Sequence, residues 1–212
     1  MVADMAERQI QPVQTNTEKQ QTYRKLLSKY KRAMEQEFYC EALMIDYAMI
    51  EDRLHSMIYH MGFLADRNKT AIWKKARPYL LQIVNEYRQD SKDDSLGSTS
   101  LSGKIKIVRG VFLWASNTAG GYMNNAHLTV LKSRLDEIDS ERVMQVLEDI
   151  DRWKGYRNEV VHAMMNKNIV QLEETIQPYA AEGMRLAREL DAVEREIKAG
   201  NRIRRRINLP VR

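Results

Sequence analysis

The sequence predicts an all-α protein built as a bundle of long antiparallel helices. Three observations predict it. Leu43, Tyr47, Ile50, Leu54, Met57 and Met61 recur at alternating spacings of four and three, the period of one helix face. Val143, Val146, Ile150, Trp153, Arg157, Val160 and Met164 recur in the same way, starting with three. The one β-branched apolar run, IKIVRGVFLW (105–114), has no second strand to pair with, so it is expected to be a short buried helix.

In chain order, residues 1–16 are expected to be a flexible leader, and 17–199 a single helical domain. The first helix starts near Thr17 and is densely charged. The second spans Phe38 to Met61 and stops at Gly62. A third, over 70–88, is expected to break or kink at Pro78. The stretch 89–104, QDSKDDSLGSTSLSGK, is a polar loop or insert, and NTAGGYMNN (117–125) is another loop. A helix over 126–137 follows. Asp139 or Ser140 caps the next one, with Glu141 in its first turn. The last helix carries Ile169, Leu172, Ile176, Tyr179, Gly183, Leu186, Leu190, Val193 and Ile197, and Pro178 should bend it. Residues 200–212 form a basic tail.

Composition narrows the function. The chain has 212 residues, 30% of them charged, and a net charge of +5, which suits a soluble protein with an affinity for polyanions. Its single cysteine, Cys40, excludes a disulfide scaffold within one chain and is expected to be a buried small hydrophobe. The four histidines form no HExxH pattern or carboxylate cluster, so neither a metal nor a cofactor is expected. No apolar run reaches the ~18 residues that span a bilayer, and the N-terminus lacks an apolar signal core, so no membrane partner and a cytoplasmic location are expected.

Arg157 is the anomaly. It occupies a stripe position where the period asks for an apolar residue, and a lone buried guanidinium costs several kcal/mol. Two solutions exist. A carboxylate can pair with it inside the bundle, Glu51 or Glu148 being the candidates. Alternatively, it borders a cleft where an anion comes and goes. His162 lies five residues on and can exchange a proton near neutral pH. Together they hold the minimum for metal-free RNA cleavage: an imidazole to move protons at the 2′- and 5′-oxygens, and a guanidinium to offset charge on the phosphate. Asn158 lies four before His162, on the same helix face, where its amide can orient the imidazole or the phosphate.

The segment R157-N158-E159-V160-V161-H162 resembles the R-N-x-x-x-H signature of the HEPN superfamily, in the form found in abortive-infection HEPN proteins and in the HEPN domains of type VI CRISPR effectors. The resemblance implies a HEPN-like helical bundle and a metal-independent endoribonuclease, with Arg157, Asn158 and His162 as catalytic residues. It implies single-stranded or looped RNA as substrate, and a site completed by two HEPN domains, here a homodimer. It also implies a role in antiviral defence or toxin-like growth arrest, restrained by an antitoxin or another regulatory partner. The alternative is a non-catalytic HEPN-like adaptor that binds RNA or a partner protein. On a straight helix, residues five apart point about 140° away from each other, which favours a composite site across a two-fold axis.

Further residues complete the set. Glu51, four before His55 on the second helix, is expected to support the site by orienting Arg157 or His162, or to form a surface ion pair. Arg53 and His60 lie seven apart on that same helix and fit a looser R-x6-H spacing, which reads as a decoy. Arg202, Arg204, Arg205 and Arg206 in the tail are weak candidates for phosphate contacts. Tyr23, Tyr30 and Tyr39 are expected to pack in the core or an interface rather than to stack bases.

Overall fold

The computed structural model describes residues 16–64, 70–87, 100–119, 123–163, 166 and 168–211. It is all-helical: α1 (Asn16–Glu35), α2 (Tyr39–His60), α3 (Ala71–Tyr87), α4 (Leu101–Asn117), α5 (Ala126–Leu135), α6 (Ser140–Ala163), α7 (Ile169–Lys198) and α8 (Arg202–Arg206), with a 3₁₀ turn at Ala199–Asn201. No strand occurs among the described residues. The proposed leader up to residue 15, most of the 89–104 insert and part of the 117–125 loop lie outside them.

The stripes read from sequence form the core. Leu43, Ile50, Leu54, Met57 and Met61 of the α2 stripe are buried, as are Val143, Val146, Ile150, Trp153 and Val160 of α6. Removing such side chains from water contributes about 1.5–3 kcal/mol each. The most extensive contact joins α2 to α7, and α6 packs on α7 beside it. Gly183 permits this closeness. A Cβ there would stand 2.7 Å from Trp153 Cζ2 on α6 and 2.8 Å from Asp46 Oδ2 on α2.

Element ends follow their chemistry. Asp139 caps α6, its carboxylate accepting from Arg142 N at 3.1 Å. Asn125 caps α5 by accepting from His127 N and Leu128 N. Gly62 stops α2 in the left-handed region, with φ of 83°. A side chain there would run into His127, whose Nε2–H donates to Met61 O at 2.9 Å.

Three expectations are corrected. The apolar run 105–114 is a buried helix as expected, but it sits inside the longer α4, which also takes in residues 101–104 of the expected 89–104 loop. Pro78 does not break α3, which continues from Ala71 to Tyr87; exposed on the solvent side, it costs one hydrogen bond that water can replace. Residues 200–211 are not a solvated tail, because Ile203, Ile207 and Leu209 are buried and tie α8 down.

Candidate functional site

Arg157 lies on the α6 stripe where that face meets α2. Its guanidinium carbon sits 4.2 Å from the centroid of the Tyr47 ring. Nη1 donates to Asn158 Oδ1 at 3.2 Å, and Nη2 donates to the Met44 sulfur at 3.4 Å. Its Nε is buried without a partner. All of these contacts are uncharged, and among the described residues no carboxylate forms an ion pair with Arg157. A cation–π contact and a soft sulfur acceptor position the group without cancelling its charge.

The carboxylates expected beside it are used elsewhere. Glu51 accepts from Lys104 Nζ of α4 at 2.7 Å, so it orients neither Arg157 nor His162. Glu148 faces Arg152 one turn along its own helix, at 3.6 Å. Lys104 was not singled out in the sequence. It sits at the start of an apolar run, and a lysine there needs a counter-ion.

Asn158 and His162 are exposed on the outward side of α6. Asn158 is tied to Arg157 by the bond just given. Among the described residues the ring of His162 makes no hydrogen bond or ion pair, while its carbonyl accepts from Asn166 Nδ2 at 3.4 Å. The structure thus joins Arg157 to Asn158 and leaves His162 separate, a turn further along the helix.

The neighbouring surface is apolar. Phe38, Met44 and Val161 are 54%, 49% and 37% exposed, high values for large hydrophobic side chains. They border a cavity of about 610 Å³ between α1, α2 and the end of α6. Cys40 lines it and is half-buried, not a core residue.

The Arg53–His60 pair has a different environment. Arg53 pairs with Asp191 at 2.6 Å and with Glu194 at 3.6 Å, and stacks on Tyr23. Glu194, 3% exposed, also accepts from Ser56 Oγ at 2.8 Å and lies 3.6 Å from His60. Burial, helped by nearby cations, pushes the His60 pKa down to about 3, so its ring is neutral.

Arg204 corrects a sequence expectation. It is fully buried, donates to Tyr59 O, Leu64 O and Pro210 O at 2.8, 2.7 and 2.6 Å, and stacks on the Tyr59 ring. It fastens the C-terminus to the end of α2 and is not available to a phosphate. Arg202, Arg205 and Arg206 are exposed, Arg202 lying 3.4 Å from Glu137. Of the three tyrosines, Tyr30 and Tyr39 are buried, and the Tyr23 hydroxyl donates to Asp52.

Asp46 also escaped the sequence reading. It is fully buried on α2 with neither oxygen hydrogen-bonded, and burial pushes its carboxyl up to about 8 against the pull of Arg188. A charged residue beside the α2 stripe was the available signal. Among the described residues, no group of three or more His, Cys, Asp and Glu is placed to hold a metal, and no helix is long and apolar enough to cross a membrane. No family model matches this chain, and neither a curated protein nor a solved structure matches it significantly.

Proposed function

We propose that this protein is a metal-independent endoribonuclease of the HEPN kind, cleaving single-stranded or looped RNA at a site shared by two copies of the chain. The observation that carries the reading is the state of Arg157. It is an arginine on the core stripe whose described partners are all uncharged, held at the surface beside Asn158. A guanidinium positioned in this way is prepared for an anion that arrives from solution.

In the proposed reaction the His162 imidazole takes the proton of a ribose 2′-hydroxyl. The 2′-oxygen attacks the adjacent phosphorus in line, the P–O5′ bond breaks, and the His162 imidazolium gives its proton to the departing 5′-oxygen, which restores the neutral ring. Arg157 offsets the charge on the non-bridging oxygens, and Asn158 keeps its guanidinium in place. The products carry 2′,3′-cyclic phosphate and 5′-hydroxyl ends. Unpaired RNA suits the reaction because its backbone can reach the in-line geometry. Arg157 and His162 diverge on one helix, so a two-fold axis that brings the imidazole of one copy to the guanidinium of the other would complete the site. Exposed Arg205 and Arg206 would add salt-dependent phosphate contacts. Defence or growth arrest is the setting proposed for this activity, with an antitoxin-like protein as its restraint.

The test is cleavage of an end-labelled unpaired RNA in EDTA. Wild type should cleave it, and Arg157→Ala and His162→Ala should each fall by roughly a hundredfold or more. Wild-type cleavage that disappears with the chelator removes the metal-free mechanism. RNA binding without cleavage favours the adaptor.

A further inference from the structure

We propose that the cavity between α1, α2 and the end of α6 is a binding site for an amphiphilic carboxylate, a free long-chain acyl anion. It does not depend on the nuclease reading: Arg157, Asn158 and His162 do not line the cavity, and Met44 alone borders both places.

The cavity's volume, about 610 Å³, lies within the range of roughly 300–1,000 Å³ typical of small-ligand sites. Its floor is apolar, with Leu43, Ile45 and Val160 among the lining residues, and Phe38, Met44 and Val161 form an exposed apolar rim. Water in such a space gains little from its walls, and a hydrocarbon chain replacing it is favoured for each methylene it buries.

One wall carries charge. Lys29 and Arg32 of α1 both line the cavity, three residues apart and therefore neighbours on one helix face. Both are exposed, and among the described residues neither makes an ion pair. The opposing charge in the lining is Glu41 alone, which leaves the two cations in excess. Elsewhere the protein pairs its interhelical cations: Lys19 with Asp52, Lys104 with Glu51, Arg53 with Asp191 and Arg142 with Glu196. Two cations with no ion-pair partner among the described residues, beside an apolar hollow, fit a ligand that is apolar along its body and anionic at one end. A neutral hydrocarbon would leave them unused, and a cationic amphiphile would be repelled.

Cys40 supplies the readout. It lines the cavity and is the only cysteine in the sequence, so thiol alkylation reports on this place alone. The experiment follows Cys40 alkylation by iodoacetamide, using intact mass, in the presence of laurate or of dodecyltrimethylammonium below their micelle concentrations. Calorimetry gives the stoichiometry. Laurate should bind one per chain and slow alkylation saturably, while the cation of equal tail length should do neither. The double variant Lys29→Glu/Arg32→Glu changes only exposed side chains and should need roughly tenfold more laurate for half-protection. The proposal is overturned if calorimetry detects no laurate binding, if both amphiphiles protect alike, or if the variant matches wild type. Protection by phosphatidylglycerol vesicles without any by free laurate would assign the surface to a membrane. Protection that grows with protein concentration in the absence of ligand would assign it to a second copy. Either result overturns the free-ligand site.

Discussion

Helices α2 and α6 each carry an arginine followed by a histidine, and the two pairs have opposite surroundings. Arg53 and His60 face α7, where Asp191 and Glu194 supply charge and Ser56 completes the bonding of Glu194. Arg157 faces Tyr47 and Met44, which supply geometry and no charge, while His162 is exposed. Residue type and spacing alone make both pairs resemble a site. The carboxylates separate them: Arg53 is ion-paired within the bundle, whereas among the described residues Arg157 has no carboxylate partner, which is what the proposed anion site requires.

The largest way to break the contrast is Arg53→Ala. It strips the nearly buried Glu194 of its cation and should cost about 3–5 kcal/mol in urea unfolding. A cost near that of an exposed residue would mean that Glu194 finds water or another partner.

Acid should act on the same network. His60 is held neutral with a folded pKa of about 3, while an unfolded histidine titrates near about 6.5. The unfolded state therefore binds the extra proton, and stability should fall by about 1.4 kcal/mol per pH unit as pH drops from 6.5 toward 3. Buried His127, pushed down to about 4, adds a second loss that levels off near that pH. His60→Asn should remove one proton's worth of this slope in unfolding followed across pH.

Asp46 carries the opposite sign. Its folded pKa is raised to about 8, so the folded state keeps a proton that the unfolded state releases above about 4. Stability is lost as pH rises from 4 to 8. Asp46→Asn should leave the melting temperature unchanged at pH 4 and raise it by several degrees at pH 8. Equal melting at pH 8 would show that the carboxylate gains compensation from Arg188.

The smallest stability effect belongs to Arg157→Ala. With a cation–π contact, a sulfur contact and an exposed bond to Asn158 to lose, it should cost under about 1 kcal/mol. A loss comparable to that of Arg53→Ala would place Arg157 in the architecture as well.

Periodicity made most of the bundle legible. The α2 and α6 stripes appear as buried faces, and Gly62 and Asp139 terminate and cap where turn and capping chemistry require. Helix existence follows from local pattern, so it can be read one segment at a time. Partner choice cannot. That Glu51 meets Lys104, that Glu194 collects Arg53 and Ser56, and that Tyr47 lies under Arg157 all depend on which helices become neighbours. The C-terminus misled for another reason. Its arginines dominate by charge, and the spacing of Ile203, Ile207 and Leu209, which is what buries it, is masked among them. Arg204, read as a phosphate ligand, became a buried clamp on backbone carbonyls through the same folding back.

The shared-site claim is tested most directly by mixing Arg157→Ala and His162→Ala chains after each has been found inactive on unpaired RNA. Random reassociation makes half of the dimers mixed, and each mixed dimer keeps one intact site of two, so about a quarter of wild-type cleavage should return. A mixture as inactive as its components, under conditions where subunits demonstrably exchange, would contradict the account.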